Sequence, residues 1–155
     1  MAAASAPDPP PCSAPEFRQF DFWIGDWEVH APDGRLAGIN RIETILGGCA
    51  LQERWTGSGP GRGTSLNFFE PAAGRWNQVW IDNEGMVLRL GGGLRSGRMI
   101  LEGEIPGGPG RPVRHRITWT PLDGGRIRQR WESSSDAGAT WTTLFDGHYT
   151  RRPAP

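Results

Sequence analysis

The chain has 155 residues, enough for one domain with a sizeable core, and its 17 acidic and 17 basic residues give a formal net charge of +0. This balance gives no general reason to expect a nucleic acid or a membrane as partner. All 17 basic residues are arginine, so enzymes that need a lysine Schiff base or an ammonium general base are excluded.

Residues 1–14 are rich in alanine and proline and contain no apolar run long enough for a secretory signal or a membrane span. We expect a disordered tail here, followed by a single barrel domain over residues 15–152. Cys12 lies in the tail and Cys49 at the start of a predicted strand. A structural disulfide is therefore not expected, and a reducing cytoplasm is the expected location.

A short helix is predicted over residues 15–20. Ser13 and Glu16 have the spacing of a capping box, and Pro15 suits the first helical turn. A helix at this point would cover one end of whatever sheet follows.

The first strand opens with Gly25-Asp26-Trp27, and the last strand ends with Arg151 and Arg152. In a small barrel, such a tryptophan can fill the closed end while glycine lets the backbone pass close to the indole ring. An arginine from the last strand can then lie over the ring as a cation–π partner. We therefore expect Trp27 to pack against Arg151 or Arg152.

From Trp27 onward, short stretches of period-two alternation are separated by turns rich in Gly, Pro, Asn and Asp. This spacing predicts about ten short strands in an antiparallel up-and-down meander. No long helical period interrupts them, which disfavours a parallel α/β sheet. Closing the meander removes its edges and turns alternate residues inward. The predicted fold is an all-β barrel of about ten strands with a short N-terminal helix.

The interior is assigned to the face of each strand that carries the large apolar side chains. This assignment gives an aromatic interior with a few polar groups, and it places Trp141, Thr143 and Phe145 inside. The residues expected to bind a ligand there are Glu53, Trp55, Gln78, Trp80, His115, Gln129, Trp131 and Tyr149. A buried carboxylate or imidazole is costly without a partner, so Glu53 and His115 must be paired, hydrated or in contact with a ligand.

Each polar candidate has more than one interpretation. Glu53 is consistent with a ligand anchor, a general base or a structural hydrogen bond. Gln78 and Gln129 each precede a tryptophan by two residues, which suits recognition of a flat polar ligand or an internal network with buried water. His115 is more typical of a core histidine than of a catalytic one. Glu53 and His115 are the interior pair from which acid–base catalysis could be built.

Four segments carry a resemblance to a known group of proteins: residues 20–27, 48–55, 76–82 and 134–141. Together they resemble bacterial lipocalin-like proteins of the calycin group, described only as a domain of unknown function. The resemblance covers nearly all of residues 16–152. It implies a barrel, and it implies no particular activity or ligand.

Segment 134–141 also fits the pattern Ser-x-Asp-x-Gly-x-Thr-Trp, which is similar to the Asp-box hairpins of sialidase propellers. Those propellers repeat the motif, whereas it occurs once in this chain. A single copy predicts that Asp136 hydrogen-bonds its own turn and that Gly138 is left-handed. Glycosidase activity does not follow.

Five arginines are expected on one outer wall of the barrel. Such a wall could attract phosphate or nucleic acid. No exposed aromatic residue is interleaved with the arginines and Glu132 adjoins them, so a solvated outer face is favoured. The five are Arg114, Arg116, Arg126, Arg128 and Arg130.

The three histidines, His30, His115 and His148, fall on distant strands and have no zinc-site spacing. Heme-binding barrels of the nitrobindin type use a histidine near the C-terminus, but alternation places His148 outside. We therefore expect no metal and no cofactor.

The function that the sequence favours is binding of a small hydrophobic or amphipathic molecule by a monomer or homodimer. The alternative is a cavity isomerase or hydrolase that uses Glu53 and His115. A heme-binding barrel is the least favoured of the three interpretations.

Overall fold

The computed structural model describes residues 5–153, whose strands form one closed antiparallel barrel. Successive strands are neighbours around the barrel, and the last strand closes it by pairing with the first. The all-β, ten-stranded barrel predicted from the sequence is confirmed. Its strands are β1 (Gly25–His30), β2 (Leu36–Ile45), β3 (Ala50–Gly57), β4 (Arg62–Glu70), β5 (Arg75–Asp82), β6 (Val87–Arg95), β7 (Arg98–Pro106), β8 (Pro112–Pro121), β9 (Ile127–Ser134) and β10 (Thr142–Arg151).

The predicted N-terminal helix is present as two short 3-10 helices, Pro15–Arg18 and Asp21–Trp23. The predicted capping box is wrong, because the N-cap residue is Ala14 and no side chain caps the helix. Burial of Phe17 holds this single tight turn in place. In the part of the chain that the structure describes, no helix has the length and apolar character needed to cross a bilayer.

Cys12 and Cys49 form a disulfide, with Cα atoms 5.1 Å apart. The prediction that no structural disulfide forms is therefore wrong. The 3-10 helices carry the chain across one end of the barrel, so that Cys12 meets Cys49 just before β3. The expectation of a reducing cytoplasm rested on unpaired cysteines and loses that support.

Trp27 fills the end of the barrel beneath the 3-10 helices, here called the closed end. Its ring is fully buried, and the Arg151 guanidinium carbon lies 4.3 Å from the ring centroid. Gly25 has φ +153°, and a Cβ there would lie 2.5 Å from Arg151 Nη1. The predicted arrangement of glycine, tryptophan and arginine is thus confirmed, with Arg151 as the partner.

Aromatic side chains from the 3-10 helices complete the closed end. Phe20 stacks on Trp23 with ring centroids 4.8 Å apart. It also packs edge-on against Trp119 at 5.0 Å and Trp76 at 5.6 Å. Since all four side chains are buried, this half of the barrel is filled by protein. We call Phe20, Trp23, Trp27, Trp76 and Trp119 the aromatic plug.

A β-bulge near the start of β10 changes which residues face inward. The pairing of β10 with β9 shifts register between Thr143 and Phe145. The strict alternation of inward and outward side chains is therefore interrupted at Leu144. Phe145 faces the interior as predicted, whereas Thr143 is exposed. Trp141 packs under Arg116, whose guanidinium carbon is 3.9 Å from the ring centroid. The prediction that Trp141 and Thr143 point inward is wrong.

The turn between β9 and β10 is built on Asp136, as predicted. Its carboxylate accepts hydrogen bonds from the Thr140 hydroxyl at 2.5 Å and the Thr140 amide at 2.8 Å. The Ser134 hydroxyl donates a third bond, at 2.7 Å. Gly138 has φ +89°. The Thr140 bonds, followed by the Ser134 bond, lower the pKa of Asp136 to about 2.

Candidate binding cavity

A cavity of about 140 Å³ lies in the half of the barrel away from the plug. Seven of the eight residues predicted to bind a ligand line it, and the exception is His115. The lining residues are Glu53, Trp55, Gln78, Trp80, Leu88, Ile117, Gln129, Trp131, Phe145 and Tyr149. A barrel interior with buried aromatic side chains and an internal cavity is compatible with binding a small molecule.

The cavity has a polar floor and an aromatic upper wall because three strands repeat one sequence pattern. On each of them a polar residue is followed two positions later by tryptophan, which puts both side chains on the inner face about 6–7 Å apart along the strand. Each of these strands runs away from the plug, so the tryptophan stands nearer the open end. The three pairs are Glu53 with Trp55, Gln78 with Trp80, and Gln129 with Trp131.

Glu53 lies at the centre of the polar floor and is only 4% exposed. Asn40 Nδ2 donates to Glu53 Oε1 at 2.8 Å, and Ser65 Oγ donates to Glu53 Oε2 at 2.5 Å. Burial raises the pKa of the carboxyl above its usual value, while the bonds from Ser65 and Asn40 act in the opposite direction.

A chain of hydrogen bonds runs from Glu53 to Gln78. The Ser65 hydroxyl donates a hydrogen bond to Glu53 and accepts one from Asn67 Nδ2 at 2.8 Å. Asn67 Oδ1 in turn accepts from Gln78 Nε2 at 2.8 Å. When Glu53 is ionised, its carboxylate can only accept, and this sets the direction of every bond in the chain. The far end therefore presents an acceptor, Gln78 Oε1.

A second branch runs from Glu53 to Gln129. Asn40 Nδ2 also donates to the Tyr149 hydroxyl, at 2.9 Å, and Tyr149 donates to Gln129 Oε1. Burial, followed by the nearby charge of Glu53, raises the pKa of Tyr149, which therefore stays neutral. Seven polar side chains from six strands thus form one network beneath the cavity.

Two acceptor atoms of this network are buried without a hydrogen-bond partner among residues 5–153. They are Gln78 Oε1 and Asn40 Oδ1. Gln78 lines the cavity and is 1% exposed. A buried acceptor without a donor carries a free-energy cost of roughly 1–3 kcal/mol. A ligand that donates a hydrogen bond to Gln78 would remove that cost, once the side chain turns this shielded oxygen toward the cavity.

His115 is buried on the inner face of β8 but is not among the residues that line the cavity. Its Nδ1 accepts a hydrogen bond from Trp131 Nε1 at 2.9 Å, and burial lowers the pKa of the imidazole. The histidine therefore orients Trp131. Among residues 5–153 no hydrogen bond or ion pair joins His115 to Glu53. The proposed acid–base pair is not assembled in this geometry.

His148 lies on the outer face of β10, as alternation predicts. Its Nε2 is 3.5 Å from Asp146 Oδ1, and it contributes nothing to the cavity lining. The interior therefore receives no histidine from this strand.

The outer arginines are largely paired with carboxylates of neighbouring strands. Arg128 makes two bonds to Asp146, at 2.9 Å and 2.8 Å. Arg116 lies 3.2 Å from Glu132, and Arg114 lies 3.2 Å from Glu104. Arg130 is 3.8 Å from Glu132, whereas Arg126 donates to the backbone carbonyl of Asp123.

Three residues of the network were missed by sequence reasoning: Asn40 on β2, and Ser65 and Asn67 on β4. The inner faces of these strands carry few large apolar side chains, so a rule based on apolar residues assigned them no inner face. A signal was nevertheless present. Asn40 shares its face with the buried Ile42, and Ser65 and Asn67 share theirs with Phe69.

No protein-family model matches this chain, and no curated protein sequence is significantly similar to it. Function has to be inferred from the chemistry of the cavity.

Proposed function

We propose that this protein binds a small, largely apolar molecule in the cavity above Glu53. The observation that supports this proposal is the cavity of about 140 Å³ with aromatic walls and a polar floor. An engineered apolar cavity of about 150 Å³ holds benzene, so a molecule built around one six-membered ring is of the right size. The polar floor would orient one polar group of the ligand.

Within this proposal, we place the chain among the bacterial lipocalin-like proteins of the calycin group. The four resembling segments support that placement, and a closed antiparallel barrel is compatible with it. Ligand carriage fits such a barrel better than catalysis does, since Glu53 and His115 are engaged with separate partners.

Isothermal titration calorimetry with toluene tests the proposal directly. Leu88 lines the cavity, so Leu88→Trp should fill it and abolish binding. The neighbouring Val87 is 40% exposed, and Val87→Trp adds the same side chain to the opposite face of β6. We expect the parent protein and the Val87 variant to bind toluene with the same affinity.

A cooperative thermal transition of the Leu88 variant would show that it is folded. Toluene binding by that folded variant would contradict the proposed function. So would a parent protein that binds neither toluene nor its polar relatives benzyl alcohol and benzylamine.

A further inference from the structure

We propose that the cavity selects an organic ammonium ion: a protonated primary or secondary amine, carried on a small apolar body, that sits against Glu53. This inference rests on the proposed function and specifies the chemical class of its ligand.

The first support is an acidic group that has no cationic partner. Glu53 is the one carboxyl on the cavity lining, and within residues 5–153 no arginine or histidine lies within salt-bridge distance of it. Its two partners, Asn40 and Ser65, are neutral. A buried carboxylate without a counter-ion is costly, and a bound cation offsets that cost.

The second support is the aromatic surface around that carboxyl. Five rings line the same cavity, those of Trp55, Trp80, Trp131, Phe145 and Tyr149. The faces of such rings attract a cation within about 6 Å of the ring centroid, and tryptophan does so best. An aromatic enclosure that contains a carboxyl favours an organic cation over a neutral molecule of equal size.

The third support is the polarity of the hydrogen-bond chain. When Glu53 is ionised, Ser65 and Asn67 are oriented so that Gln78 presents its carbonyl oxygen. That oxygen has no partner among residues 5–153, and it is shielded until the Gln78 side chain turns it toward the cavity. A primary or secondary ammonium carries N–H groups for both Glu53 and Gln78, whereas a quaternary ammonium has none.

The other titratable groups near the cavity do not compete for this role. Tyr149 is held neutral, with its pKa raised by burial. His115 faces Trp131 and lies outside the lining, and burial lowers its pKa. Glu53 is therefore the group of this cavity lining that can supply a negative charge to a bound cation.

The test is calorimetric titration at pH 7.5 with three probes of similar size: benzylamine, benzyl alcohol and toluene. Benzylamine should bind about tenfold more tightly than either neutral probe, since hydrogen bonds to charged groups are the stronger ones. Glu53→Gln should weaken benzylamine binding about tenfold and leave toluene binding within about twofold. Glu43→Gln removes a carboxylate from the outer face of β2, and it should change the affinity for neither benzylamine nor toluene.

Three results would overturn the inference, and they are distinguishable. If benzyl alcohol or toluene binds the parent protein as tightly as benzylamine, selection of an ammonium is wrong but ligand binding in the cavity stands. If none of the three probes binds, the proposed function fails as well. Unchanged benzylamine affinity in the Glu53 variant, with toluene still bound, would also contradict the role of Glu53.

Discussion

Tryptophan side chains fill one half of this barrel and surround a cavity in the other half. At the closed end Trp23, Trp76 and Trp119 are buried against Phe20. Trp27 is buried beside them and donates a hydrogen bond to the backbone carbonyl of Trp23. In the other half, three tryptophans are only partly buried and surround a cavity. They are Trp55, Trp80 and Trp131.

The two halves differ in packing because different side chains fill the space between their aromatic rings. The closed end receives Phe20 and Trp23 from the N-terminal 3-10 helices, and these side chains complete a close-packed core. The cavity half receives polar residues on the same inner faces, and their hydrogen-bond network prevents the aromatic walls from collapsing onto each other. The closed end therefore supplies stability, and the cavity half supplies a place for a ligand.

The largest expected effect is at the closed end. Trp27→Ala should lower the free energy of unfolding by about 3–5 kcal/mol, because it removes a fully buried indole from a packed cluster. Trp80→Ala should cost clearly less, since one side of that ring borders the cavity. Urea denaturation of both variants measures the difference. Equal losses would mean that the two halves are packed alike.

The disulfide should contribute next. Its cysteines are 37 residues apart, and replacing both with alanine should destabilise the protein by about 2–4 kcal/mol. Adding a reductant to the parent protein should destabilise it by the same amount, as measured by thermal and urea unfolding. The stability of the double variant should not change when reductant is added. Toluene affinity should stay within about twofold, because Cys12–Cys49 lies at the closed end. A large loss of affinity would show that the two halves are coupled.

Removing the buried charge should alter the pH dependence of stability. Because burial raises the pKa of Glu53 in the folded state, the folded protein holds a proton that the unfolded chain releases between the two pKa values. The contribution of Glu53 to the free energy of unfolding therefore falls as the pH rises through that interval. Glu53→Gln should remove this fall, so the stability of the variant relative to the parent should improve as the pH rises above the ordinary pKa of a carboxyl.

Glu43→Gln, at a half-buried position on the outer face of β2, is the control for the pH experiment. Parallel pH profiles for the parent protein and the Glu53 variant would contradict burial of an ionisable group in the network.

The smallest expected effect concerns the arginine over Trp27. Arg151→Met should reduce the free energy of unfolding by about 0.5–1 kcal/mol, the range for an exposed cation–π pair. Arg152 instead lies 3.6 Å from Asp26 in an exposed ion pair, so Arg152→Met should change stability by at most about 0.5 kcal/mol. Chemical denaturation in parallel would detect the difference, and the reverse order would contradict the role given to Arg151.

The sequence predicted the features that repeat with the period of a strand. Alternation placed the pairs built on Trp55, Trp80 and Trp131 inside the barrel, and the glycine two residues before Trp27 indicated its contact with arginine. These predictions depend on local geometry, in which every second residue faces the same side.

What the sequence did not predict depends on contacts between distant segments or on breaks in that alternation. Cys12 reaches Cys49 because the 3-10 helices fold back across the barrel. The bulge at Leu144 turns Thr143 outward with no clear local signal. Asn40 belongs to the interior because Glu53 and Tyr149, on other strands, supply its partners.

Because the two halves of the barrel hold different tryptophans, the intrinsic fluorescence of the protein can report on each half separately. The indoles of the plug are shielded from water, so their emission should stay at short wavelength until the barrel unfolds. A bound molecule would contact the three cavity indoles or displace water from them. His115 fixes the orientation of one of these indoles, that of Trp131. Quenching of tryptophan fluorescence without a red shift of the emission therefore reports that the cavity is occupied. A red shift of the emission reports that the aromatic plug has unfolded. One emission spectrum separates the two events.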